Sequence, residues 1–367
     1  MTDRERVAAC QVRLDSVDAD AIVLFPSTDM QYLSGFTDEP MERHLFLFVG
    51  QTGDPLFVAP EMYDAHIRHD SWVEDVRTYA DGEDPLLLLE HAADELGFRG
   101  GRVLLDDRMW ARFTQDFRDL FPTTEFGLAS DVLEPLRLRK DDAELDALRR
   151  AGEAADAAME DVRDLGADAI GMTEAELAQY VEERLAAHGG DSPSFGIIAG
   201  SGPNGAKPHH RHDDREVQRG DPVVFDFGTR VDGYPSDQTR TIVFVGEPPE
   251  EFETVHDVVR EAQQAAVEAI EPGVPAEGVD AAAREVIADA GYGEEFVHRT
   301  GHGVGLDVHE EPYIVAGNDQ PLEEGMVFSV EPGVYLEGEF GVRIEDLVAV
   351  TEDGCERLNH TDRGWGV

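Results

Sequence analysis

Along the first third of the chain, short apolar runs alternate with stretches whose apolar positions recur at helical spacing. Residues 3 to 14 carry Val7, Ala8, Val12 and Leu14 on or near one stripe, which predicts an amphipathic helix. The run AIVLF at 21–25 reads as a buried strand, and 44–49, 56–58 and 103–105 read as further strands. Helical spacing recurs over 61–68, 85–96 and 109–120, whereas the aromatic-rich DMQYLSGF at 29–36 reads as a loop. Strands alternating with helices predict an α/β domain over residues 1–132, followed by a crossing at 133–140.

From residue 141 the pattern changes. Leu145, Leu148, Gly152, Ala155 and Met159 share one stripe of a long helix expected over 141–165. Thr173 with Glu176 forms a capping-box signature for a second helix running to 188. A strand-like run at 195–199 leads into SGPNGAKPHHRHDD, a Gly/Pro loop with His209, His210 and His212. Next comes PVVFDFGTRVDGYPSDQTRT at 222–241, which reads as a hairpin whose two strands each carry an aspartate, Asp226 and Asp237, into an apolar layer. Helices are expected over 250–270 and 276–290, then strands over 326–330, 334–336 and 342–350. Together they predict an α+β domain spanning 141–367.

Composition narrows the class of function. A chain of 367 residues is long for one core, which favours two domains. Its 79 acidic against 30 basic residues leave a net charge of -49, which excludes nucleic acid as a ligand because phosphates would be repelled. The apolar periodicity is too regular for disorder. Only Lys140 and Lys207 are lysines, and acid excess with lysine depletion resembles proteins of salt-loving microbes. No run approaches membrane-spanning length and MTDRERVAAC has no apolar signal core, so a cytoplasmic protein without a membrane partner is expected. Cys10 and Cys355 provide neither a disulfide framework nor a zinc-finger pattern.

The candidate chemistry rests on Asp226, Asp237, His302 in HRTGHGVGLDVHEEP, Glu331 in FSVEPGVY and Glu345 in VRIEDLVAV. Each has an ordinary reading alone: aspartates holding turns, a packed histidine, a strand-end glutamate before Pro332-Gly333, and a glutamate paired with Arg343. Gly301, Gly303 and Gly305 let the backbone pass close to something, but their spacing is not a dinucleotide fingerprint. His309 has no second histidine four residues on, so the segment is not a zincin either. Taken together, four carboxylates and one imidazole in apolar surroundings are costly unless they are paired or bind metal. The set suits two hard or borderline divalent ions, Mn²⁺ or less exclusively Co²⁺, as in a two-metal hydrolase.

The segments DFGTRVDGYPSDQTRT, HRTGHGVGLDVHEEP, FSVEPGVY and VRIED resemble the metal-site motifs of the M24 peptidases, which share the pita-bread fold. The N-terminal domain resembles the creatinase/prolidase N-domain, which methionine aminopeptidases generally lack, so the resemblance is to the proline-directed members. It implies that Asp226 chelates one ion, Asp237 and Glu345 bridge both, and His302 and Glu331 bind the other. A water made acidic by two cations would attack the scissile carbonyl, and Glu331 would pass a proton to the leaving nitrogen. His209 and His309 would contact substrate or stabilise the oxyanion. His298, Tyr313 and Arg343 would serve the substrate site, Arg343 also orienting Glu345 or Asp237.

Two positions depart from the family pattern. Tyr313 stands where some archaeal Xaa-Pro dipeptidases have an arginine that holds the dipeptide carboxylate, and Gln238 replaces a small or apolar residue and is expected to point away from the ions. The expected activity is therefore that of an Xaa-Pro aminopeptidase acting on proline-containing peptides longer than two residues. The alternative is an Xaa-Pro dipeptidase, which would need another cation such as Arg211. The intact ligand set separates the chain from creatinase and from non-catalytic relatives. The resemblance also implies a homodimer in which the N-terminal domain of one subunit closes the active site of its neighbour.

Overall fold

The computed structural model describes all 367 residues and divides them into two units, Met1–Arg137 and Leu138–Val367. In the first unit the order is α1 (Asp3–Ser16), β1 (Ala21–Leu24), α2 (Thr28–Ser34), β2 (Phe46–Gly50), β3 (Leu56–Pro60), α3 (Asp64–Asp70) and β4 (Asp75–Tyr79). It continues with α4 (Leu86–Leu96), β5 (Arg102–Leu105), α5 (Ala111–Leu120), β6 (Glu125–Leu128) and α6 (Ser130–Arg137). The strands form one mixed sheet in the order β4-β3-β2-β1-β5-β6. Every residue of β1 and β2 is buried, which is why these central strands read as unbroken apolar runs rather than as alternating ones. Phe113 packs on them with ring centroids 5.3 Å from Phe25 and 5.5 Å from Phe46.

Three features differ from expectation. Residues 28–34 form a helix, not a loop: Ser27 Oγ accepts from the Met30 amide at 3.2 Å, and Gly35, at φ 79°, ends the helix in the left-handed region. Strands β4 and β6 were not expected; they are the sheet edges, and their partly exposed residues interrupt any apolar run. Helix α6, with Pro135 inside it, occupies 130–137, where a crossing was expected from 133.

The second unit opens with α7 (Asp142–Asp164), α8 (Glu174–Ala187), β7 (Ser192–Pro193), β8 (Ile198–Ser201), β9 (Val223–Phe227), β10 (Thr229–Val231), β11 (Tyr234–Pro235) and β12 (Gln238–Ile242). It closes with α9 (Phe252–Glu268), α10 (Ala276–Asp289), β13 (Gly301–Gly303), β14 (Glu310–Ile314), β15 (Val327–Val330), β16 (Gly333–Leu336), β17 (Phe340–Arg343), β18 (Asp346–Thr351) and β19 (Gly354–Arg357). Ala155 and Met159 of α7 with Leu177 and Val181 of α8 pack on Phe225, Phe227 and Ile242 of the β12-β9-β8 sheet. Val255, Val259 and Ala262 of α9 with Ala283 and Ile287 of α10 join Phe328, Val330 and Val348 of the β14-β13-β15-β18-β19 sheet. A single antiparallel bridge, Thr239 to Glu345, links β12 to the junction of β17 and β18. The expected strand at 342–350 is thus two strands, because the Glu345 amide leaves the ladder to donate to the Thr239 carbonyl at 3.0 Å. No helix is long and apolar enough to cross a membrane.

Candidate metal centre and substrate pocket

Most of the five expected ligand residues sit where a ladder ends or breaks. Asp226 lies within β9, Asp237 immediately before β12, Glu331 between β15 and β16, and Glu345 between β17 and β18. His302 is the middle residue of β13, at a register shift against β14 that re-aims its side chain. The flanking glycines explain how β13 fits. A Cβ at Gly301 would run into the Ser329 carbonyl, and one at Gly303 into the backbone of Glu310 and Glu311. The close approach is therefore to neighbouring strands.

These placements converge. His302 Nε2 lies 3.7 Å from Asp237 Oδ2 and 3.5 Å from Glu331 Oε1. Ligand atoms of Asp237, His302 and Glu345 all fall within 4.8 Å of one another. With Nδ1–H donating to the Gly303 carbonyl at 3.2 Å, His302 presents the Nε2 lone pair to the carboxylates. Burial, with His309 next, pushes the imidazole down to about 3, so it is neutral. Burial and then the neighbouring acids push Asp237 and Glu345 well above the usual carboxylate range. Asp237 Oδ1 is buried without a hydrogen-bond partner. Crowded carboxylates around a lone pair, one oxygen orphaned, are an arrangement that divalent cations satisfy and protein groups here do not. The donor set fits such ions, with hard oxygens, one imidazole and no thiolate.

Arg343 braces this cluster. Its Nη2 donates to Asp226 Oδ2 and its Nε to Thr239 Oγ1 at 3.0 Å, and Thr239 Oγ1 donates in turn to Glu345 Oε2 at 2.6 Å. Arg343 therefore holds Asp226 directly and Glu345 through a threonine, and makes no hydrogen bond to Asp237. Its Nη1 donates to Tyr335 Oη at 2.8 Å, and Tyr335 Oη lies 2.9 Å from His298 Nε2. His298 Nδ1 lies 2.7 Å from the Arg299 carbonyl, which completes a directional chain of hydrogen bonds from Arg343 to Arg299. Burial, then the Arg343 charge, pushes His298 down to about 4, consistent with a neutral ring that accepts from the tyrosine.

The cluster forms the floor of a cavity of about 650 Å³, whose wall includes His209, His298, His309, Arg211, Arg299 and Arg343. His209 and His309 are exposed at it, the His309 ring 4.0 Å from that of His302. Tyr313 does not line the cavity itself; it lies under the Arg299 guanidinium, 4.4 Å from ring centre to Cζ. Gln238 points elsewhere, its Nε2 2.5 Å from Asp156 Oδ1 on α7. His210 is turned from the cavity toward Glu174, 2.8 Å away. Thr239, Tyr335 and Arg299 were not singled out from the sequence. Only Arg299, beside His298 in HRTGH, carried a visible signal, a cation within a glycine-rich motif.

Residues 146–352 match metallopeptidase family M24, and residues 6–139 match the creatinase/prolidase N-terminal domain. The chain is similar to a probable dipeptidase PepE of Mycobacterium tuberculosis, at 44% identity over 92% of this chain and 89% of that one. It is also similar to an Xaa-Pro dipeptidase of Lactobacillus helveticus, at 40% identity over 95% of each. A solved structure of prolidase from Thermococcus sibiricus superposes with a TM-score of 0.95 at 38% identity, covering 100% of this chain and 99% of that one.

Proposed function

The chain belongs to metallopeptidase family M24, a creatinase/prolidase N-terminal domain followed by a pita-bread catalytic domain, and on that premise we propose that it is an Xaa-Pro dipeptidase. In this reading Asp226, Asp237, His302, Glu331 and Glu345 would hold two divalent ions, Mn²⁺ with Co²⁺ as the alternative. When bound, the ions supply Lewis-acid stabilisation of charge at the scissile carbonyl. The residues of the chain do the rest. Glu331 takes a proton at a carboxylate oxygen from the water that adds to the scissile carbonyl carbon, and passes it to the proline nitrogen as the C–N bond breaks. His209 and His309, at the cavity wall, donate to the carbonyl oxygen as it gains charge. Proline has no amide hydrogen and a fixed backbone, so the pocket selects for the ring by shape.

The observation that carries the dipeptidase reading is Arg299. Arg299 lines the cavity, with its guanidinium over the Tyr313 ring, and it forms no ion pair with any acidic side chain of a strongly anionic protein. A dipeptide ends in a carboxylate that is expensive to bury unpaired, and an arginine with no acidic partner meets that need. The aminopeptidase expectation rested on Tyr313 offering no cation and on Glu310 and Glu311 repelling a carboxylate; Glu310 is paired with Lys140 at 2.7 Å. The tyrosine instead underlies a cation, supplied from fourteen residues earlier in the chain. The relatives' names point the same way.

The test compares kcat/KM for Ala-Pro and Ala-Pro-Ala in Mn²⁺ and in Co²⁺. Ala-Pro is expected to be preferred, and Arg299→Met to raise its KM by roughly 10- to 100-fold, the loss of one charged hydrogen bond. Preference for Ala-Pro-Ala, with an Arg299→Met enzyme no worse on either peptide, would return the protein to the aminopeptidase reading.

A further inference from the structure

The loop from Ser201 to Asp213 contains only one short helical turn, Gly202–Asn204, yet it supplies His209 and Arg211 to the cavity wall. What gives it a shape is a single buried carboxylate. Glu174, the first residue of α8, is 0% exposed. Its Oε1 accepts from the Ser201 amide at 2.7 Å, from Ser201 Oγ at 2.7 Å and from Asn204 Nδ2 at 3.1 Å. Its Oε2 accepts from the Asp213 amide at 3.1 Å and from Asn204 Nδ2 at 3.2 Å, and lies 2.8 Å from His210 Nε2. Both ends of the loop and two points between them are thus gathered on one side chain. The helix cap is made separately by Thr173 and Glu176, so Glu174 is not needed for it.

The loop is met from the opposite partner as well. A Cβ at Gly341 of β17 would run into the Gly205 carbonyl, and Arg343 Nη1 donates to the Pro208 carbonyl at 3.4 Å. His210, bound to Glu174, is flanked by the two residues that reach the cavity. An inward-held His210 fixes the backbone on which His209 and Arg211 stand. A buried carboxylate is costly, and here charge-assisted donors offset that cost only while the loop keeps this one conformation.

We infer that Glu174 is a positioning residue for substrate, acting through His210 and the Ser201–Asp213 backbone to set His209 and Arg211. The inference rests on the reading of the cavity as the peptide site. Glutamine at 174 keeps the shape but turns an NH₂ toward donors, which leaves at least one of them unpaired.

Two measurements test it. In Glu174→Gln, hydrogen exchange of the 201–213 amides should quicken by about tenfold or more, with exchange in β9, β12 and β15 unchanged. On Ala-Pro, Glu174→Gln should lower kcat/KM by roughly 10- to 100-fold at unchanged metal content, and this loss should shrink to within about threefold in a His209→Ala/Arg211→Ala background. Should Glu174→Gln fail to fold, His210→Ala takes its place with the same two expectations. Unchanged loop exchange, or an undiminished loss in the double-variant background, would overturn the role. Failure of the wild-type enzyme to cleave either Ala-Pro or Ala-Pro-Ala would instead overturn the peptidase reading, and loop exchange would still decide the role of Glu174.

Discussion

His256 on α9 is a core histidine with no polar partner: it is 1% exposed, and neither ring nitrogen has a hydrogen bond. It packs against Phe252, centroid to centroid 5.7 Å, as an aromatic ring that happens to carry nitrogens. Burial, and secondarily the Arg260 charge, pushes its pKa down to about 4 from the 6.5 of an exposed histidine. Between those values the unfolded chain binds a proton that the folded one refuses. Stability is therefore complete above pH 6.5 and falls as pH drops toward 4, by roughly 3 kcal/mol at most. Among the groups around the ring, Arg163 reinforces the depression and Asp257 and Asp362 oppose it. His256→Phe should remove this part of the acid sensitivity. Urea melts of the two proteins should diverge at pH 5 relative to pH 7; parallel curves would show that the histidine is not charged on unfolding in that range.

At the scale of elements, the spacing of β13 matters more than its length. Gly301 and Gly303 let this three-residue strand lie against β15 and β14 at distances that no Cβ allows. Gly301→Ala should push β13 from Ser329, cost about 1–3 kcal/mol by overpacking, and carry His302 with it. The expected readouts are a lower thermal midpoint and Mn²⁺ affinity weakened at least tenfold by calorimetric titration; full affinity would show that the strand can yield. The glycines could be seen in the sequence as a site of close approach, but what approached could not, since it lies in residues 310–329. The same division runs through the fold. Central strands such as β1 declared themselves by unbroken apolar runs, and α8 by the Thr173–Glu176 pair, because those signals are local. Helix α2 was hidden because its evidence lies in its caps, Ser27 and Gly35, rather than in its apolar pattern. Arg299 was hidden because its setting depends on Tyr313, and Thr239 because it acts through Glu345, more than a hundred residues away. The five candidate ligands were legible only as a set: Asp226, Glu331 and Glu345 lie in or beside apolar runs, and the quoted motifs tie Asp237 and His302 to them.

At the scale of the whole molecule, the net charge of -49 is the dominant fact. Several arginines are already spent inside the fold. Arg240, 1% exposed, donates to Asp346 Oδ1 at 2.7 Å and to four backbone carbonyls, and Arg163 donates to three carbonyls near the C-terminus. The surface is left strongly anionic. Its self-repulsion acts over about 30 Å at 0.01 M salt but only about 3 Å at 1 M. Dialysis to low ionic strength should therefore cause a cooperative loss of structure, followed by circular dichroism, with the thermal midpoint rising as salt is restored. Equal midpoints at the two salt concentrations would leave the acidic bias without a stability role.

The hydrogen-bonded chain from Arg343 through Tyr335 and His298 to the Arg299 carbonyl works as a calliper. One jaw is Asp226, held by Arg343; the other is the backbone that carries Arg299. Because the bar between them is a run of hydrogen bonds with one direction, the gap is set by the fold before any substrate arrives. On the dipeptidase reading, length selection would need no wall at the end of the pocket: a longer peptide would carry its terminal carboxylate beyond the second jaw, and loosening the bar at Tyr335 would blur the measurement rather than abolish the chemistry.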